Sequence, residues 1–341
     1  MAESISVSVV GASGYSGAEL LKILSRHPHA RIDRVFAGAS AGRRVDEVYP
    51  WFRGTSDLVY ESYAPELVDG SDLVFLALPS GEAMAIVPEL LERNKRVIDL
   101  SGDFRLPDPA VYQKYYRREH AATHLLSLAA YGMPEWNRDA IRSSRFVANP
   151  GCYPTSAILP LAPLLSEGVV GDSGIIICSM SGVSGAGRGG SVETSFSEVN
   201  ESVRAYKVGT HQHIPEIARG LELASGRNVS LTFTPHLMPI TRGIYTNIYA
   251  PIAADVDEER IAAIYQLYYG NEPFVRWSAQ AIPEIRNVTY TNYIDIGFRI
   301  DRENGQIILL SAIDNLVKGA AGQGVHNMNI LFGFDETEGL L

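Results

Sequence analysis

Basic residues are in short supply, with 29 Lys and Arg against 39 Asp and Glu in 341 residues and a formal charge of −10. Such a surface attracts neither nucleic acid nor an anionic membrane, so both are excluded as partners, and an anionic small molecule requires locally gathered arginines. Cysteine is scarcer still: Cys152 and Cys178 form no disulfide framework and point to a reducing compartment, the cytoplasm. No apolar run reaches membrane-spanning length, and the longest, Ile158 to Leu165, is interrupted by prolines. The strand Ile5 to Val10 begins too early to leave room for a signal core or an Arg-rich transit peptide. Internal repeats and low-complexity linkers are also missing, so any domain boundary is an intimate one. What remains is a globular composition, 46% hydrophobic and 20% charged, too long for one ordinary core and therefore expected to form two domains.

The first 150 residues alternate short apolar runs with helical patterns: strands at 5–10, 31–37, 72–78 and 96–100, helices at about 15–26 and 82–93. This is a βαβ rhythm and implies a Rossmann-type α/β domain. Beyond Cys152 the strands lengthen, at 174–180, 229–236, 243–250, 294–300 and 306–313, with helices near 155–166, 215–224 and 257–269. That change implies an α+β domain with a mixed or antiparallel sheet. A last segment, from Asn315 to Leu331, reads as one more amphipathic helix in spite of its glycines.

Between the first strand and first helix runs Gly11-Ala12-Ser13-Gly14-Tyr15-Ser16-Gly17. Glycines there admit a pyrophosphate to backbone N–H groups, and the helix N-terminus stabilises its charge. The spacing departs by one residue from the commonest dinucleotide fingerprint, and a structural glycine turn is the competing reading. The second strand ends without an acidic residue, at Ala37-Gly38-Ala39-Ser40, and Arg43 and Arg44 follow. An uncharged end followed by two guanidiniums suits a 2′-phosphate, hence NADP rather than NAD. Solvated loop charges are the alternative for both arginines.

Chemistry concentrates at Asn149-Pro150-Gly151-Cys152-Tyr153-Pro154-Thr155, a tight turn that opens a helix. Unpaired N–H groups and the positive dipole end favour a thiolate at Cys152, which competes with a plain buried turn cysteine. Cys178 sits in a β-branched run where packing is its role. A cysteine nucleophile beside a nicotinamide implies attack on an acyl carbon and hydride delivery to the thioester, with an acid/base in attendance. His211-Gln212-His213-Ile214-Pro215-Glu216 supplies candidates, two histidines on one side of an extended segment, then a helix starting at Pro215. No third ligand at metal spacing accompanies them, so no metal is expected.

With the glycine loop, the cysteine turn and the His-x-His segment go Asp99 to Leu106, Tyr131 to Glu135, Ser181 to Arg188 and Asp314 to Gln323. Together they resemble, nearly end to end, the N-acetyl-gamma-glutamyl-phosphate reductases and the wider group that includes aspartate-semialdehyde dehydrogenase. The resemblance implies that Cys152 is the nucleophile and His213 the general acid/base, with Glu216 orienting an imidazole. It places His211 and Asn149 at the substrate, and Ser184, Gly185, Asn315, Pro79 and Ser80 near cofactor. Arg105 leads as the phosphate ligand, with Arg188 and Arg204 as competitors. The resemblance further implies that 314–341 returns to the NADP-binding domain of 1–150, leaving 151–313 as the catalytic and dimerisation domain of a homodimer or homotetramer.

The implied reaction reduces an acyl phosphate, N-acetyl-L-glutamyl 5-phosphate, with NADPH in arginine biosynthesis. Sibling acyl phosphates differ only in length and cap, which local sequence does not separate. A non-catalytic NADPH sensor needs neither Cys152 nor the histidine pair, and a cysteine acyltransferase needs no dinucleotide loop.

Overall fold

The computed structural model describes residues 4–253 and 255–341. The chain divides into two compact units, Met1–Pro150 with Ala320–Leu341, and Gly151–Gly319.

In the first unit a seven-stranded sheet is parallel throughout. Its strands are β1 (Ile5–Val10), β2 (Ala30–Phe36), β3 (Tyr60–Glu61), β4 (Leu73–Leu76), β5 (Arg96–Asp99), β6 (Ala130–Tyr131) and β7 (Phe146–Ala148), in the order β3-β2-β1-β4-β5-β7-β6. The helices are α1 (Tyr15–Leu24), α2 (Val45–Val48), α3 (Ala83–Glu92), α4 (Pro109–Tyr116) and α5 (Pro134–Ser143). Strand residues alternate between two apolar layers, as a two-residue period requires. Val7, Val9, Phe75, Ile98 and Val147 join Leu20, Leu21 and Leu24 of α1 on one face. Val10, Val74, Leu76, Val97 and Phe146 join Met84, Val87 and Leu90 of α3 on the other. The chain leaves β1 toward β3 on one side and resumes at β4 toward β7 on the other, so the β1/β4 boundary is the topological switch point where such sheets take ligands.

The second unit holds α6 (Cys152–Ser166), α7 (Phe196–Val199), α8 (His213–Ser225) and α9 (Glu258–Tyr269). Its strands are β8 (Ile175–Ser181), β9 (Arg204–Ala205), β10 (Leu231–Leu237), β11 (Ile244–Pro251), β12 (Val275–Ser278), β13 (Ile294–Asp301) and β14 (Gln306–Ile313), in the order β12-β13-β14-β11-β8-β10-β9. β8 pairs with β10 and β12 with β13 in parallel, and the remaining neighbours are antiparallel, so the sheet is mixed.

α2, α4, α5 and α7 were not expected from the sequence, and three of the expected helices differ from their reading. α6 starts at Cys152 rather than near 155 and continues through Pro160 and Pro163. Each proline strips a backbone donor from the helix, and hydroxyls replace both. Ser311 donates to the Ser156 carbonyl at 2.7 Å, and Tyr269 to the Leu159 carbonyl at 2.5 Å. α8 starts at His213 rather than Pro215, because the His211 ring accepts the His213 N–H at 3.1 Å and so closes the turn early. The last helix is not amphipathic. A π-turn over Val317–Ala321 leads into α10 (Gly322–Phe332), whose residues Gly322 to Leu331 are all buried. Its polar side chains find partners inside the protein: Asn327 donates to the Gly132 carbonyl at 2.8 Å and to Asn149 at 2.9 Å, while His326 meets Glu336 at 2.7 Å.

Candidate active site

The entrance of α6 displays the nucleophile. Gly151, extended at φ −72° and ψ 159°, caps the helix, and half-buried Cys152 is its first residue. Thr155 N–H reaches the Gly151 carbonyl at 3.0 Å, closing the first turn, and Pro154 occupies a position where no donor is needed. A side chain on Gly319 would come within 2.7 Å of Cys152 Cβ, so glycine there leaves the cysteine its place.

Glu216 ties this turn to α8. It is 1% exposed, its Oε1 accepts the Gly151 N–H at 2.8 Å, and its Oε2 lies 4.0 Å from His213 Nε2. The rings of His211 and His213 are 4.8 Å apart, and Tyr153 stands edge-on to them at 5.4 and 5.8 Å. Because His211 Nδ1 accepts the His213 N–H, its ring proton belongs on Nε2. Burial, and then the charge of Lys207, push the His211 pKa down to about 3, so this imidazole is neutral.

Cys152, Tyr153, His211 and His213 line a pocket of about 380 Å³ together with Ser181, Gly185, Arg204, Tyr206 and Lys207. No carboxylate lines it among the described residues, and two cations do. Of the three arginines proposed from sequence, the one on this pocket is Arg204. Arg188 is exposed. Arg105 is buried in the first unit, its Nε donating to the Asn149 carbonyl and its Nη2 to the Leu100 carbonyl, each at 2.8 Å, so it is engaged as a strut. Asn149 is fully buried too, with its amide donating to the Ala320 carbonyl at 3.2 Å and its oxygen accepting from Asn327. That amide holds the chain together within the first unit instead of presenting itself to a ligand. Asn315 likewise braces its own unit, accepting the Gly243 N–H at 2.7 Å and donating to Ser184 Oγ at 3.0 Å. Tyr206 and Lys207 were missed on sequence; their place five and four residues ahead of His211 is the only local signal.

In the first unit the glycine loop follows β1 at the switch point. Gly11 has φ 82°, and a Cβ on it would strike the Ala77 carbonyl, while one on Gly17 would strike the Gly11 carbonyl. The two outer glycines are thus required by packing, whereas Gly14 caps α1 with nothing closer than ordinary contact. Ser13 is held by its carbonyl, which accepts from Tyr49 at 2.9 Å. With Tyr15 and Ser16 opening α1 and no acidic residue in its first turn, this entrance fits a pyrophosphate. Pro79 and Ser80, exposed after β4, rim the same switch point. Their turn is pinned by Asp103, whose carboxylate accepts the Gly81 N–H at 2.6 Å, and by the Gly102 N–H on Ser80 Oγ at 3.3 Å. Beyond β2 and Ser40, the two arginines are unequal. Arg44 is engaged by Asp46 at 2.9 Å and Asp57 at 3.1 Å, whereas among the described residues Arg43 has only Glu47, at 4.0 Å, as an acidic partner, so Arg43 is the more available for a 2′-phosphate. Among the described residues no three His, Cys, Asp or Glu side chains gather as metal ligands.

Residues 6–144 match the family model described as semialdehyde dehydrogenase, NAD binding domain, and residues 152–315 match its dimerisation domain. The chain is 51% identical over 339 residues to the N-acetyl-gamma-glutamyl-phosphate reductase of Pelotomaculum thermopropionicum, covering 99% of this chain and 98% of that one. It is 47% identical to the protein of that name from Desulforudis audaxviator, over the same shares. Among solved structures, aspartate semialdehyde dehydrogenase II of Vibrio cholerae, complexed with ASA, superposes with a TM-score of 0.74 at 17% identity, over 96% of this chain and 98% of that one. The Candida albicans aspartate semialdehyde dehydrogenase with NADP gives 0.72 at 17%, over the same shares. These structures share the two-unit fold, and with the near-complete sequence matches they lead to one assignment: the chain belongs to the N-acetyl-gamma-glutamyl-phosphate reductase family.

Proposed function

We propose that the chain reduces N-acetyl-L-glutamyl 5-phosphate to N-acetyl-L-glutamate 5-semialdehyde and phosphate, with NADPH, in arginine biosynthesis. The observation that carries this reading is the Cys152–Glu216–His213 arrangement on a cation-bearing pocket. Cys152 Sγ attacks the acyl carbon; the carbon–sulfur bond forms as the carbon–oxygen bond to phosphate breaks, and phosphate leaves with the electron pair. His213 accepts the thiol proton, and the buried Glu216 carboxylate keeps that imidazole and the cysteine turn in register. Backbone N–H groups at the entrance of α6 face the developing oxyanion. NADPH, when bound, supplies the hydride that reduces the thioester carbonyl. His213 then steadies the hemithioacetal oxygen while the carbon–sulfur bond breaks, releasing the aldehyde and the Cys152 thiolate.

The cofactor belongs to the first unit, held by Gly11, Ser13, Gly14, Tyr15, Ser16 and Gly17 around the pyrophosphate, with Pro79 and Ser80 opposite and Arg43 at the 2′-phosphate. The second unit supplies catalysis and self-association. The open face of its sheet supports a homodimer or homotetramer: Ile176, 47% exposed, pairs across strands with Tyr249, 38% exposed, beside Met180 and Tyr245. A thiol nucleophile is best preserved in the reducing cytoplasm. Structurally, no helix among the described residues is long and apolar enough to cross a membrane.

The test is phosphate-dependent reduction of NADP by the semialdehyde, with NAD and shorter or longer semialdehydes run alongside. We expect the Cys152→Ser variant to lose at least about a thousandfold in kcat while binding NADPH normally, since a hydroxyl is the weaker nucleophile. Full turnover by that variant would refute the thioester route.

A further inference from the structure

Lys207 has φ 44°, in the left-handed region where a residue with a Cβ is strained and glycine or asparagine fits better. The turn imposing this is closed by Thr210 N–H on the Lys207 carbonyl at 3.0 Å, and Gly209 follows at φ 68°. Strain of this kind gathers at ligand sites, where the surrounding structure enforces it. Here the strained residue lies between Tyr206, whose hydroxyl meets that of Tyr153 at 2.9 Å, and the two histidines, all of them on the Cys152 pocket.

The ammonium has little to answer its charge. It donates to a neutral oxygen, Gln212 Oε1, at 3.0 Å, and has no carboxylate partner among the described residues. Arg204, the pocket's other cation, already donates from Nη2 to the Glu193 carbonyl at 2.7 Å. In a chain of formal charge −10, an exposed ammonium on the pocket that holds the nucleophile, with no carboxylate partner and no acid on the pocket wall among the described residues, is a place for an anion.

We infer that Lys207 binds the phosphate of the acyl phosphate, an assignment that rests on the reaction given under Proposed function. A compact ammonium on a flexible stem holds a tetrahedral oxyanion as a point charge without a fixed fork geometry, which suits a group that must arrive and depart. In the forward direction Lys207 receives the phosphate as the acyl carbon–oxygen bond breaks. In reverse it positions inorganic phosphate, whose oxygen attacks the thioester carbon while the carbon–sulfur bond breaks and the electron pair returns to Cys152 Sγ.

The reverse reaction separates the two anionic groups, because phosphate and semialdehyde are added independently. Initial rates of NADP reduction are measured at varied inorganic phosphate and varied semialdehyde for Lys207→Met, Lys207→Gly and Lys207→Arg. Loss of one charge-assisted hydrogen bond raises the KM for phosphate roughly 10- to 100-fold in the Met and Gly variants, with the KM for semialdehyde within about threefold, and Arg restores most of the loss. Lys207→Gly also relieves the backbone, so its Tm rises while its phosphate affinity falls; a merely structural role would lower both together. An increase confined to the semialdehyde KM, which would hand Lys207 to the substrate carboxylate, overturns the assignment, as does no change in either. Should the unsubstituted enzyme show no phosphate-dependent turnover, the reaction itself falls, separately from Lys207.

Discussion

His211 is kept neutral by its surroundings, and acid exacts a penalty for that. Its ring has an ordinary pKa of 6.5 and is held at about 3 in the fold. Above pH 6.5 both folded and unfolded chains carry it neutral; as pH falls from there toward 3, only the unfolded chain takes up the proton, so stability declines through that window. Denaturant titrations between pH 7 and pH 4 should record this decline, and His211→Asn, which keeps an acceptor for the His213 N–H, should flatten it. An identical slope in the variant would assign the acid sensitivity elsewhere. At this scale the sequence was readable where a motif is short and contiguous. Cys152 stands at a helix entrance because Pro150 and Gly151 precede it, and Glu216 is one helical turn from His213. Lys207 was opaque, since its importance comes from a left-handed turn and an absent counter-charge, both tertiary facts. Arg105 is the converse case: that its guanidinium reaches the Asn149 and Leu100 carbonyls is a tertiary fact that no motif spells out.

α6 carries two prolines in its interior and yet runs for fifteen residues. Its carbonyls at Ser156 and Leu159 depend on Ser311 and Tyr269, which come from β14 and α9, so the nucleophile's helix is completed by residues distant in sequence. Tyr269→Phe and Ser311→Ala each leave one buried carbonyl without its donor and should lower unfolding free energy by about 1–3 kcal/mol, measurable by denaturant titration, with kcat little changed. Wild-type stability in both variants would mean that the helix satisfies itself. The prolines argued for a broken apolar run when read singly. Only the hydroxyls opposite them explain why the helix persists, and no spacing rule connects position 156 to 311. The longer strands of the second sheet and the apolar runs of β1, β2, β4 and β5, by contrast, were legible, because pleating sends their side chains into a core, whereas the short β3, β6, β7, β9 and β12 carry too few residues to show a period. α10 hid its nature because asparagine, glutamine and histidine look solvent-facing until their internal partners are seen.

For the molecule as a whole, the second sheet leaves one face without helical cover, and that face is apolar along β8, β11 and β14. Ile176, Tyr249 and Ile308 stand in register across three strands, with Cys178 and Leu310 flanking Asn247, the polar residue of the next rank. Ile176→Lys should convert the proposed assembly to monomers in sedimentation velocity at micromolar concentration, since a lone ammonium in an apolar contact finds no partner. Unaltered sedimentation would move the interface to another surface. The first unit has a different dependence. Val325, Met328, Ile330 and Leu331 of α10 belong to the same apolar layer as Val9, Leu21 and Phe75, so residues made after the second unit complete a core begun before it. During translation the nascent Rossmann sheet therefore leaves the ribosome with a gap on one face, and its folding waits until the entire second unit has been synthesised. Domains ordinarily fold as they emerge; this one waits for the chain to return after the second unit, and a stop codon anywhere before residue 320 forfeits it.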